Sequence, residues 1–313
     1  MGYKILITPR SFGRTGTRPL DMLAERQFEI VRNPCGRILS KPEMIELIAD
    51  VDAVIVGVDP LDREVLVHAR KLKAISKYGI GLDNVDLDYA AERGIRVAAA
   101  HGANVQAVAD YTLALMLAVA RMVVPIDRAC RRLDWSKPTT LDVYGRTLGI
   151  VGLGNIGKAV AERAGGFRMK LLAFDVWRDE AFAAAHGIEY VSLEELLRRS
   201  DFISLHSPLT GDSRHMIGEA QFALMKPTAV LINTARGGLI DEQALYRALA
   251  EKRIWGAGID VFEEEPPLNR KLLELDNIVV GSHCAASTVQ AIENMGVMAA
   301  ENVIRMLLEE GCA

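Results

Sequence analysis

The chain reads as an α/β protein built from two doubly wound parallel sheets, Rossmann-like or flavodoxin-like, with an interdomain cleft between them. Three observations predict this. Strand-like and helix-like segments alternate from end to end, which is the pattern of parallel α/β architecture. At 313 residues the chain has room for two cores. A glycine fingerprint for dinucleotides occurs once, in mid-chain, so only the second sheet is expected to hold a cofactor.

In the first third, strands are predicted at Lys4–Thr8, Phe28–Arg32, Ala53–Val58, Ala74–Tyr78 and Arg96–Ala99, from short apolar runs bounded by turn residues. Helical segments separate them, such as Pro42–Ile48 after the capping residue Ser40. The second series starts at Leu148 and continues with Leu171–Asp175, Phe202–His206, Ala229–Asn233, Gly256–Val261 and Ile278–Val280. Val105–Val124 is apolar almost all round, so a long helix sandwiched between domains or subunits is expected. The amphipathic segment Val289–Glu309 is expected to return the chain to the first domain. The expected division is therefore 1–100 plus 287–313 for a discontinuous substrate-binding domain, and 101–286 for the cofactor domain.

Bulk properties exclude several function classes. A net charge of -4 with no basic run gives no reason to expect nucleic acid or an anionic membrane. The most apolar stretch, Tyr111–Ala120, is too short to span a bilayer. The start has no signal-peptide pattern. Cys35, Cys130, Cys284 and Cys312 are scattered without metal-ligand spacing, so no metal is expected and a reduced cytoplasmic setting fits best.

The fingerprint follows the apolar run Leu148–Val151. Gly152, Gly154 and Gly157 stand at G-x-G-x-x-G spacing, with Asn155 and Ile156 between the last two, and a helix-forming stretch follows. Gly152 allows a tight turn, Gly154 lets the backbone approach a pyrophosphate, and Gly157 lets helix and strand pack closely. Free N–H groups at the helix start then face the phosphates. Asp175 closes the second strand about 20 residues on, where the fingerprint places the acid for the ribose.

Four polar constellations stand at the predicted C-terminal strand ends: His206-Ser-Pro208-Leu-Thr, Asn233-Thr234-Ala235-Arg236-Gly-Gly, Asp260-Val-Phe-Glu-Glu-Glu265, and Ser282-His283. Open α/β sheets place ligands at that edge. Moving a hydride to or from an alcohol beside a carboxylate needs a cation for the carboxylate, which suits the arginine fork. It needs a group of near-neutral pKa for the hydroxyl proton, which suits histidine, and an acid to orient it. Arg236, His283 and one of Glu263, Glu264 or Glu265 supply such a set, and spacing does not select among the glutamates. Each also has a plainer reading: Arg236 as a surface charge before a helix, His283 as a hydrogen-bonded core histidine, the acid run as a solvated loop, and His206 as a strand cap.

Across nearly its whole length the sequence resembles the D-isomer-specific 2-hydroxyacid dehydrogenase family, in its 3-phosphoglycerate dehydrogenase-like branch. The resemblance rests on Lys77-Tyr-Gly-Ile-Gly-Leu-Asp-Asn-Val-Asp86, Asn104, Val108–Ala118, Gly152–Gly157, Leu205–Thr210, Leu231–Gly238, Asp260–Pro266 and His283, all in the family's order. It implies a catalytic set of Arg236, Glu265 and His283. It implies a carboxylate-binding loop at Lys77, Tyr78, Gly79, Ile80 and Gly81, where successive N–H groups form an anion nest. Asp260 would contact the nicotinamide carboxamide, and Asp175 the adenosine ribose, which favours NAD over NADP although Arg178 stands three residues on. His206, Pro208, Thr234 and Ala235 would line the cofactor site.

Two departures stand out. Ser282-His283-Cys284-Ala285 replaces the usual Pro-His-Ile-Ala, and Lys77-Tyr78-Gly79 replaces the Arg-Ala-Gly of phosphoglycerate-specific members. Lysine pairs with a phosphate only as a point charge. The chain's end at Ala313 leaves no room for the regulatory domain of some phosphoglycerate dehydrogenases. The expected activity is therefore NAD-dependent hydride transfer on a D-2-hydroxy or 2-keto acid by a homodimer, with 3-phosphoglycerate the leading substrate and glyoxylate or hydroxypyruvate the alternative. A dinucleotide-sensing corepressor-like protein is the rival from another class, and formate dehydrogenase is disfavoured because its relatives lack the acid matched by Glu265.

Overall fold

Apolar runs of three to five residues form the strands, because a strand covered on both faces has no polar side to show. The structure is a computed structural model that describes residues 2–308. The chain divides into two compact units, residues 1–104 with 287–313, and residues 105–286.

In the first unit the strands are β1 (Lys4–Ile7), β2 (Glu29–Arg32), β3 (Ala53–Val56), β4 (Ala74–Lys77) and β5 (Arg96–Ala99). They pair in parallel in the order β2-β1-β3-β4-β5. Central β3 and β4 are buried throughout, whereas edge strand β2 is not. Helix Lys41–Ile48 starts at Ser40, whose backbone N–H donates to Glu43 Oε2 at 2.8 Å to close a capping box. Helix Val289–Leu308 lays Met295, Ala299, Val303 and Met306 inward, against helix Arg18–Glu25 and strands β3 to β5. The expected last residue of that helix, Glu309, lies outside the described residues.

The second unit contains β6 (Thr147–Val151), β7 (Lys170–Phe174), β8 (Ile188–Tyr190), β9 (Phe202–Leu205), β10 (Val230–Asn233), β11 (Gly256–Ile259) and β12 (Ile278–Val280). All pairs are parallel, in the order β12-β11-β10-β9-β6-β7-β8. The direction of winding switches beside β6, where this fold class builds its ligand crevice. Edge strand β8 was not expected. It is three residues long with one buried side chain, too short for an apolar run to mark it.

Several strands stop one or two residues earlier than the sequence suggests: Thr8, Tyr78, Asp175, His206 and Val261 lie beyond the ladders. Each stands at a C-terminal end, where the backbone leaves the ladder for a loop.

The long apolar segment also differs from expectation. The helix ends at Ala120, Met122 takes φ 50°, and a second helix, Val123–Cys130, departs at 59° to the first. Helix Val105–Ala120 buries ten side chains, packed against β10, β11 and β12 and against helix Asn155–Gly165. Its apolar surface is consumed as one layer of the second unit's own sandwich, which explains why almost every face is apolar. Among the described residues no single helix is long and apolar enough to cross a membrane.

Candidate active site

Strand register sets the site. Val151 pairs with Phe174 and with Leu205, Leu205 with Asn233, Asn233 with Ile259, and Ile259 with Val280. The next residues, Gly152, Asp175, His206, Thr234, Asp260 and Gly281, therefore line one edge of the sheet side by side. Every constellation expected in this half of the chain begins there.

The residues at β6 fit a dinucleotide. A Cβ on Gly157 would overlap the carbonyl oxygen of Gly152, so only glycine lets the helix lie this close to the turn. Gly152 takes φ +94° against the backbone of His206. A Cβ on Gly154 would meet nothing within 4 Å, and no side chain caps helix Asn155–Gly165. Exposed Gly154 and Asn155, with half-buried Ile156, thus leave the positive helix end and its free N–H groups open to a pyrophosphate. Asp175 accepts from the Leu153 N–H at 2.6 Å and the Trp177 N–H at 2.9 Å. Its carboxylate braces the glycine turn and keeps further lone pairs for ribose hydroxyls. Arg178 stacks its guanidinium on the Tyr190 ring, 5.2 Å from the centroid.

His206 bonds the Ser204 hydroxyl through Nε2 at 2.8 Å, and burial lowers its pKa to about 4. A neutral imidazole therefore borders the glycine turn at pH 7. An unfolded histidine titrates near 6.5, so the unfolded chain binds more protons between pH 6.5 and about 4. The stabilisation is full above that window and is lost as pH falls through it, by at most about 3 kcal/mol. The melting temperature of the wild type is expected to drop across this range more steeply than that of His206→Asn. Parallel melting curves would rule the effect out.

Around β10 to β12 the structure brings three sequence-predicted residues together. His283 Nδ1 lies 2.9 Å and 3.1 Å from the two carboxylate oxygens of Glu265. Burial pushes the Glu265 carboxyl up, but the hydrogen bond and charge of His283, the Phe262 N–H and the charge of Arg236 pull it below the ordinary range. Glu265 is thus an anion placed to stabilise a protonated imidazole, with the cation of Arg236 in electrostatic reach. Glu263 points elsewhere and pairs with Arg214 and His215.

Backbone bracing holds this set. His283 takes φ +57° on a turn whose N–H donates to the Asp260 carbonyl at 2.7 Å. Asp260, expected beside the nicotinamide carboxamide, is fully buried, and its two carboxylate oxygens accept the N–H groups of Cys284 and Ala285 at 3.0 and 2.9 Å. That carboxylate fixes the turn bearing His283. Cys284, where the sequence departs from the family pattern, directs its Sγ at the Tyr111 hydroxyl, 3.4 Å away. Thr234 is also turned inward, its hydroxyl 2.9 Å from that of Thr112, while Ala235 is half-buried and Pro208 exposed.

Sequence reasoning placed Asn233 at the head of a polar constellation but gave it no role. Its buried amide accepts the Ala235 N–H and donates to the Arg236 carbonyl, at 3.0 and 2.9 Å, so it shapes the arginine loop. The available signal was an asparagine closing an otherwise apolar strand.

In the first unit, Lys77 ends β4 and is only 6% exposed. Its ammonium donates to the Gly57 carbonyl at 2.5 Å and to Asn84 Oδ1 at 2.6 Å. Asn84 in turn donates to the Gly57 and Asp59 carbonyls. Tyr78 accepts from Ser11 and donates to the Ile292 carbonyl at 3.0 Å. Gly79 follows at φ +136°, then half-buried Ile80 and Gly81. Among the described residues no cluster of metal-ligating side chains occurs.

A Rossmann crevice with an open phosphate cradle, joined to a histidine–carboxylate pair beside an arginine, defines a nicotinamide-dependent oxidoreductase. Residues 113–285 match the D-isomer specific 2-hydroxyacid dehydrogenase, NAD binding domain family. A glyoxylate reductase of Korarchaeum cryptofilum is 48% identical over 273 residues, covering 85% of this chain and 82% of that protein. A D-3-phosphoglycerate dehydrogenase of Methanocaldococcus jannaschii is 43% identical over 276 residues, covering 87% of this chain but 53% of that longer relative. Among solved structures, D-lactate dehydrogenase from Aquifex aeolicus complexed with NAD and lactic acid aligns with TM-score 0.86 at 31% identity, covering 97% of this chain and 95% of that one. The chain belongs to the D-isomer specific 2-hydroxyacid dehydrogenase family, and its cofactor is NAD.

Proposed function

We propose that this enzyme reduces a small unphosphorylated 2-keto acid, glyoxylate or hydroxypyruvate, at the expense of NADH. The observation that carries the reaction is the Nδ1 contact of His283 with Glu265, which commits one ring nitrogen to an anion and leaves Nε2 for substrate. When bound, the nicotinamide supplies the hydride. Arg236 holds the substrate carboxylate and the C2 oxygen through its fork. His283 gives its Nε2 proton to that oxygen as C2 is reduced, and Glu265 steadies the charged ring before transfer. Asp260 and Asn233 keep the histidine turn and the arginine loop in place. The helix start at Gly154–Ile156 would hold the cofactor's pyrophosphate, and Asp175 its ribose.

Lys77 supports this choice of acid. A lysine offered to a phosphate has to present its ammonium outward, whereas this one is spent on Gly57 and Asn84 and holds the loop Tyr78–Gly81 in shape. That arrangement supports small keto acids over 3-phosphoglycerate and its keto form. Initial rates with NADH are expected to give glyoxylate or hydroxypyruvate a kcat/KM at least about 10-fold above that of 3-phosphohydroxypyruvate. A preference for the phosphorylated acid would overturn this choice.

The active species is a homodimer. Val123, Leu133, Trp135 and Tyr144 expose large apolar surfaces on one stretch of the second unit, and a second copy of this chain would cover them. The unpaired thiols of Cys35, Cys130 and Cys284 suit a reducing compartment, the cytoplasm.

A further inference from the structure

Glu263 lies two residues before Glu265 and is tied to three separate segments. Its Oε2 lies 3.1 Å from the Arg214 guanidinium, and its Oε1 lies 3.0 Å from His215 Nε2. Its backbone N–H donates to Glu242 Oε1 at 2.7 Å, at the start of helix Glu242–Ala250. His215 donates its own N–H to the Gly238 carbonyl at 2.8 Å, which joins the loop after β9 to the loop carrying Arg236. Gly237 presses directly on the backbone of Phe262 and Glu263, where any Cβ would overlap it. Phe262 N–H reaches Glu265 Oε1 at 3.2 Å, so a shift of this backbone moves the acceptor that faces His283. Segments that follow β9, β10 and β11 therefore meet at Glu263, the first through its carboxylate and the second through its backbone.

We propose that Glu263 is a positioning residue whose side-chain clasp on Arg214 and His215 holds Glu265 in register with His283. The proposal rests on the roles given to Glu265 and His283 above. Free of the clasp, the segment 262–265 swings on its exposed side, and the anion drifts from the imidazole. Misplacement of about 1 Å at a reacting group is enough for a large rate loss.

The test is a kinetic cycle of Glu263→Ala, Glu265→Gln and the double variant, with NADH affinity read separately by fluorescence titration. Glu263→Ala is expected to lower kcat roughly 10-fold while the Kd for NADH stays within about 2-fold. In the Glu265→Gln background the same change is expected to cost nothing further, because a displaced anion that is already absent has no effect. Glu263→Gln, which keeps an acceptor for Arg214, is expected to recover part of the loss. If Glu263→Ala does not fold, Arg214→Met opens the same clasp and is read in the same cycle. Wild-type kcat in Glu263→Ala, or a full additional loss in the double variant, overturns the proposal. Wild-type kcat in Glu265→Gln itself removes the reading on which it rests, a separate and distinguishable failure.

Discussion

Replacing His283 with Gln lowers kcat by about 10²–10⁴, the usual share of general acid–base catalysis. Glutamine retains a hydrogen-bonding group near Glu265 but cannot give a proton to the C2 oxygen. The Kd for NADH is expected to stay within about 3-fold, since the cofactor cradle is built from other loops. A near-wild-type kcat in His283→Gln, measured with glyoxylate and hydroxypyruvate, removes the imidazole from the mechanism.

The second large effect is expected at Arg236. Lysine there keeps the charge and loses the planar fork, so carboxylate and C2 oxygen are no longer held together. We expect kcat/KM to fall by about 10²–10³, corresponding to some 3–4 kcal/mol of lost transition-state stabilisation. Arg236 Nη1 also donates to the Ala235 carbonyl at 2.7 Å, a bond that restricts the side chain before substrate arrives. An unchanged kcat/KM in Arg236→Lys would contradict the role.

Much of this protein was legible from residue order. Apolar runs broken by turn residues located eleven of the strands, because a parallel strand is buried on both faces and must read as a continuous run. The glycine spacing marked the cofactor crevice for a similarly local reason, since turn, strand end and helix start lie within ten residues. Edge strand β8 escaped because three residues with one inward side chain leave no pattern. The break at Met122 escaped because an apolar stretch looks the same straight or bent.

Composition, alternation and glycine spacing by themselves determined the fold class, the two sheets and the crevice edge, because each depends on neighbours close in the chain. The tertiary structure decided what two of three adjacent glutamates do: Glu265 turns to His283 and Glu263 to Arg214 and His215, although spacing treats them alike. It also turned Lys77 inward, since the acceptors that claim its ammonium come from the loop after β3 and from Asn84. Burial and partner choice at these positions depend on contacts between segments distant in sequence, and such contacts exist only once the sheets have formed.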